Sequence, residues 1–189
     1  MACAVIGLVK GYSNLKKYNK LIIRNNKLYK NFIQDFKYDV IIVHQGNITK
    51  EHQEYIQEKS DPILIFLDIS DFWNSLEGNG YNKMCRLWSY DIYKYVQQYE
   101  YIMRLDDDGI IENKVSYDLF EYMKKNNYDY GYIRRKTDPH RPTRETFIPF
   151  CLNYFKQDLK PMNNFYNNFF ITRVKFWSNP EIHKFLSEV

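Results

Sequence analysis

Cysteine is scarce: Cys3, Cys85 and Cys151 are odd in number and far apart, with no Cys-x-x-Cys pair. A disulfide framework or a structural zinc site is therefore not expected. Glycine is scarcer than usual, seven in 189 residues, and never falls into Gly-x-Gly-x-x-Gly or Gly-x-x-x-x-Gly-Lys-Ser/Thr. That excludes the common dinucleotide and P-loop phosphate cradles. Gly-x-Ser-x-Gly is also missing, which excludes the nucleophile elbow of α/β-hydrolases. No apolar run approaches the length of a membrane span, and the opening residues 2–9 lack the basic lead-in of a signal peptide. A net charge of +4, spread along the chain, gives no nucleic-acid footprint. The chain reads as soluble: cytoplasmic if complete as it stands, lumenal in the Golgi if trimmed from a longer one.

What is abundant is aromatic: 18 Tyr, 13 Phe and 3 Trp make up 18% of the residues. Against 44% hydrophobic and 26% charged residues overall, this is globular composition with an aromatic bias. At 189 residues, a single domain with one substantial core is expected.

The order of elements is alternating. Residues 4–9 form an apolar run stopped at Lys10-Gly11, and from Leu15 apolar positions recur at helical spacing through Phe32. Asp39 to Val43 and Pro62 to Asp68 read as strands apolar on both faces, with a helix between them that Thr49 can cap. A helix over 82–97 leads to a fourth strand, Tyr99 to Leu105, which runs into Asp106-Asp107-Asp108-Gly109. Helix (116–125), strand (128–134), a polar loop, helix (143–156), strand (168–172) and a last helix (180–187) follow. Such alternation specifies a mostly parallel central sheet with helices on both faces, a Rossmann-like α/β fold.

Ligands of such sheets bind outside the carboxyl ends of the strands, where the acidic cluster falls. On an extended backbone, residues two apart share a direction, so Asp106 and Asp108 converge while Asp107 faces elsewhere. Converging carboxylates repel unless a cation lies between them, and Mg²⁺ or Mn²⁺ suits one or two carboxylates plus phosphate oxygens. Asp106 and Asp108 are thus metal-ligand candidates for binding a nucleoside diphosphate. The competing reading is a solvated Asp-Asp-Gly turn.

Tyr81-Asn82-Lys83-Met84-Cys85-Arg86, then the Tyr99–Asp108 strand and its acidic end, then Tyr130-Gly131-Tyr132 and Asn168-Phe169, resemble the fungal-type α-1,2-mannosyltransferases of glycosyltransferase family 15. The most specific piece is Met84-Cys85-Arg86 with the acidic strand end. The resemblance implies a GT-A fold, one nucleotide-sugar-binding domain over 1–189, and Mn²⁺ or Mg²⁺ as cofactor. It implies a donor such as GDP-mannose or a UDP-sugar, and a glycan or glycoprotein acceptor. By matched position, Asp106 and Asp108 hold the metal, with Asp108 and Tyr81 catalytic. Lys10, Tyr12, Ser13, Arg86 and Asp106 lie at the donor. Phe170 stands where the family places a carboxylate, and it can neither attack carbon nor accept a proton. The activity that the resemblance implies is a retaining, metal-dependent hexosyl transfer. The competing classes are a non-catalytic nucleotide-sugar or glycan binder and a metal-dependent phosphohydrolase recruiting Asp68 and Asp71.

Two further features call for placement. The basic stretch Arg134 to Arg144 reads either as an anion-binding loop over the site or as solvated surface. Four histidines show no metal-ligand spacing; His44 follows the second strand toward the ligand edge, and His183 lies near the end of the sequence.

Overall fold

In the computed structural model, which describes residues 2–137, 141, 143–156 and 163–188, six strands form one sheet. They are β1 (Ala2–Leu8), β2 (Asp39–His44), β3 (Leu64–Asp68), β4 (Tyr99–Leu105), β5 (Tyr130–Tyr132) and β8 (Phe169–Arg173), ordered β3-β2-β1-β4-β8-β5. The first four pair in parallel, whereas β8 runs antiparallel to both β4 and β5. The sheet is therefore mostly parallel, as the alternation predicts. Its one reversed strand sits beside the acidic end of β4.

Both faces of the central strands are apolar because both are covered. Val5, Val40 and Ile42 pack with Leu21, Leu28 and Phe32 from α1 (residues 15–36) and Phe120 from α5 (Leu119–Lys125). On the other face Ala4, Ile6, Ile41 and Val43 meet Trp73 of α3 (Ser70–Ser75) and Leu87, Trp88 and Ile92 of α4 (residues 80–95). The period-two side-chain alternation of each strand divides its residues between these two cores.

Local chemistry fixes the helix starts. Thr49 caps α2 (Lys50–Glu58), its hydroxyl accepting from the His52 N–H. Asp118 caps α5 by accepting from the Phe120 and Glu121 N–H groups. Asn79 does the same for α4. Helix α4 then widens into a π turn over Leu87–Asp91 and tightens to 3-10 geometry over Ile92–Tyr95, delivering Trp88 and Tyr93 inward.

A two-stranded sheet, β6 (Arg135–Thr137) with β7 (Asn163–Phe165), stands where the sequence reading has only a polar loop. Beyond it come α6 (residues 143–155), α7 (Val174–Trp177) and α8 (Pro180–Glu188). Of the basic stretch, Asp138, Pro139, His140 and Pro142 lie outside the described residues. Among the described residues no helix is long and apolar enough to cross a membrane.

Candidate active site

The strand ends at Leu105, and the chain turns at once: the Gly109 N–H donates to the Asp106 carbonyl at 3.0 Å. A turn breaks the two-residue alternation, and this corrects the expectation that Asp107 faces away. Asp107 lines a cavity of about 390 Å³ with Lys10, Gln45, Asn47, Trp73, Gly80 and Met84, at the carboxyl ends of β1, β2 and β4. Asp106 is turned back along the strand to the Arg104 guanidinium, Nε to Oδ1 at 2.8 Å, while Asp108 is exposed. Burial raises the Asp107 carboxyl above its ordinary value and the Asp108 charge raises it further, with Arg24 opposing.

Arg24 is the residue that sequence reasoning missed. It sits fully buried on α1, its Nη2 donating to the Leu105 carbonyl at 2.8 Å and its Nε to the Asp106 carbonyl at 3.3 Å. Burial lowers its pKa to about 10, opposed by the charges of Asp107 and Asp106, so it stays a cation at neutral pH. Gly7 of β1 makes this reach possible, because a Cβ there would lie 2.3 Å from Nη2 and 2.7 Å from the Leu105 carbonyl oxygen. The acidic turn is thus held from beneath by a positive charge.

The loop after β1 contributes unequally. Lys10 reaches the cavity shared with Asp107. Gly11 lies against the backbone of Asn47, so close that a Cβ would fall 2.2 Å from its carbonyl oxygen, which brings the β1 and β2 loops together. Tyr12 instead packs edge-on to Tyr18, with its N–H donating to the Tyr18 hydroxyl, and Ser13 is exposed; neither lines this cavity.

A second, larger cavity of about 710 Å³ adjoins the first across Met84. Its floor is aromatic. Phe170 is buried on β8, stacked on Tyr130 at 5.3 Å and edge-on to Trp88 at 6.2 Å. Tyr93 and Trp177 stack at 4.8 Å. The Arg104 guanidinium lies 4.4 Å from the Trp88 ring centre, linking this floor to Asp106. Burial pushes the Tyr130 hydroxyl up to about 12, with Arg104 opposing, so it remains a neutral donor and acceptor.

Of the α4 residues matched by the family resemblance, Met84 lines both cavities and Cys85 the larger one, whereas Arg86 and Tyr81 fall elsewhere. The Arg86 Nε bonds Asp91 at 3.0 Å and lines a different cavity with Tyr90, Phe147 and Phe185. This does not join it to Lys10 and Asp107, because its guanidinium answers the buried Asp91 carboxylate, which Lys94 also holds. Tyr81 is 70% exposed and lines neither cavity. His183 meets the Tyr90 hydroxyl at 3.2 Å on the α8 side, and the His44 Nδ1 accepts from the Gly46 N–H at 3.2 Å. Asp68 ends the edge strand β3 and Asp71 lies on α3; neither lines the cavity that holds Asp107.

Asp106 and Asp108 are the carboxylates of the turn that could offer oxygens to a hard divalent ion. Among the described residues no three His, Cys, Asp or Glu side chains converge on one point. Burial is the first cause of the raised Asp107 carboxyl, and the Asp108 charge adds to it. Two carboxylates completed by phosphate oxygens form a set that Mn²⁺ or Mg²⁺ accepts.

No protein-family model matches the sequence. O-glycoside α-1,2-mannosyltransferase homolog 5 of Schizosaccharomyces pombe is 28% identical over 132 residues, 57% of this chain and 31% of that protein. O-glycoside α-1,2-mannosyltransferase omh1 of the same organism is 25% identical over 211 residues, 88% of this chain and 54% of that protein. Core-mannan synthase A of Aspergillus fumigatus, solved in an Mn/GDP form, superposes with a TM-score of 0.76 at 18% identity, covering 99% of this chain and 63% of its own. That likeness shows the fold, which is GT-A-like. The chain thus spans roughly a third to a half of the length of these curated relatives. Over part of their length, the chain is similar to the fungal α-1,2-mannosyltransferases.

Proposed function

We propose that this protein is a metal-dependent glycosyltransferase, moving a mannose-like hexose from a nucleoside-diphosphate sugar to a glycan or glycoprotein hydroxyl. The 189 residues would act as one nucleotide-sugar-binding domain. The observation carrying the reading is the pairing of two adjoining cavities at the carboxyl edge of the sheet, with the acidic turn at their junction.

The roles follow from the chemistry of each group. Lys10, in the smaller cavity, is a point charge for the donor diphosphate. Asp107 accepts from donor hydroxyls in the same cavity. Asp108 and the second oxygen of Asp106 would hold the divalent ion, which when bound neutralises charge on the leaving diphosphate. Arg24 and Arg104 keep the turn in place from below and beside.

With Phe170 in the floor, no carboxylate among the described residues lines the larger cavity to attack the sugar. Front-face substitution is the chemistry that the residues allow. The bond from the anomeric carbon to the diphosphate oxygen breaks, the acceptor oxygen bonds that carbon on the same face, and its proton passes to the departing diphosphate. Catalysis then rests on positioning and charge stabilisation. Such a step retains the anomeric configuration.

A panel of GDP-mannose, UDP-glucose and UDP-galactose, with and without Mn²⁺, tests the reading. Release of free diphosphate from one donor, dependent on the metal, is the expected result. Binding without release would make the protein a nucleotide-sugar binder, with Phe170 the cause. Binding of none would remove the glycosyltransferase reading.

A further inference from the structure

The larger cavity has a charge pattern that the transferase reading leaves unexplained. Among the described residues no Asp or Glu lines it, and its charged residues are Arg104 and Arg134. The Arg104 charge is met by Asp106 at 2.8 Å. Arg134 has no carboxylate partner among the described residues, and its guanidinium lies 5.3 Å from the ring centre of Tyr166, which shares the same wall. Among the described residues one positive charge thus has no carboxylate partner, in a cleft whose other walls are mostly aromatic. Low-dielectric walls focus such a field on whatever enters.

The hydrogen-bonding character of the lining points the same way. A neutral sugar presents hydroxyl protons and is gripped by carboxylate and amide oxygens. Among the described residues, only Asn167, Ser89 and the tyrosine hydroxyls supply side-chain oxygens here, a lining richer in donors than in acceptors. An anion accepts without donating, and a guanidinium fork matches a phosphate or carboxylate in two parallel bonds. The stacked rings of Tyr130 and Phe170 offer a face for the C–H side of a pyranose. A volume of about 710 Å³ holds more than one hexose ring.

Resting on the glycosyltransferase reading, we propose that this cavity is the acceptor subsite. It selects a hexose that carries a phosphate or carboxylate group, and Arg134 is the residue that recognises the anion. The donor diphosphate is a separate anion, lying across Met84 with Lys10 and Asp107.

Titration calorimetry on the protein tests this with mannose, mannose 6-phosphate, glucuronate, inorganic phosphate and GDP with Mn²⁺ as separate probes. Mannose 6-phosphate or glucuronate should bind at least tenfold more tightly than mannose, and the tighter of the two names the anion. Arg134→Gln should abolish that preference while leaving GDP affinity within twofold, and Arg134→Lys should restore part of it. The side chain is exposed, so both variants should keep the wild-type melting temperature. Equal affinity for mannose and the charged sugars overturns the proposal, as does the absence of binding by all three sugars. Inorganic phosphate binding as tightly as mannose 6-phosphate also overturns it, since no sugar would then be read. Parallel loss of GDP binding in Arg134→Gln would assign Arg134 to the donor and overturn it as well. Donor hydrolysis without acceptor reads the transferase chemistry separately, so either conclusion can fail alone.

Discussion

Arg104 and Phe170 stand opposite each other in the antiparallel register of β4 and β8, the guanidinium 5.9 Å from the phenyl ring centre. The same guanidinium lies against Trp88 and binds Asp106, so one side chain ties the aromatic floor to the acidic turn. Arg104→Met would strand the Asp106 carboxylate, which is only 22% exposed, and should cost about 2–3 kcal/mol in urea unfolding. Arg104→Lys keeps the charge but loses the planar stack, and should cost ~1 kcal/mol. Equal stability of wild type and Arg104→Met would mean that the pair holds nothing in place.

The buried guanidinium of Arg24 depends on the missing side chain of Gly7. Gly7→Ala should destabilise by about 1–3 kcal/mol, since its Cβ would press on both Nη2 and the Leu105 carbonyl. Arg24→Met should cost ~2 kcal/mol or more by taking hydrogen bonds from two carbonyls. The two changes share one contact, so the double variant should lose less than the sum. Strict additivity in a double-mutant cycle would contradict the coupling.

The three carboxylates of the turn should separate by role. Asp108→Ala, at an exposed position, should leave the melting temperature unchanged and reduce Mn²⁺-dependent donor turnover about 10²-fold or more. Asp107→Asn should weaken donor binding in the cavity that it shares with Lys10. Unchanged turnover in Asp108→Ala would remove it from the chemistry.

Stability should fall on mild acidification through His44. Burial lowers its pKa below the ordinary 6.5, and the charge of Asp68 opposes this only in part. Below about pH 6.5 the unfolded chain takes up a proton that the folded chain refuses, so unfolding free energy decreases as pH falls toward the folded value. Urea midpoints at pH 7.5 and 5.5 measure the drop, and His44→Asn should make it smaller. An identical drop in the variant would place its source elsewhere.

The sheet was legible where burial is complete. Residues 40–43 carry an apolar run because they lie between covered faces, and the cap at Thr49 follows from a side-chain oxygen before helical periodicity; β3 was read from the same kind of run although it is an edge strand with Ile65 exposed. Strands β6 and β7 were not, because three polar residues pair with a segment more than twenty positions away and leave no local pattern. The turn at Asp106 hid the direction of Asp107, since alternation holds only while the backbone stays extended. Arg24 left a readable trace: a cation between Leu21 and Leu28 on a buried helix face must answer to something inside. Phe170, matched to a carboxylate in the family resemblance, is where pattern and chemistry part; its packing on Tyr130 and Trp88 gives the position a structural use.

The most direct single measurement is metal-dependent release of diphosphate from GDP-mannose and the UDP-hexoses. Slow release of GDP or UDP from one donor, only with Mn²⁺ or Mg²⁺ present and lost in Asp108→Ala, is the outcome that the geometry of the acidic turn leads to. Binding of no donor under any metal condition would contradict it.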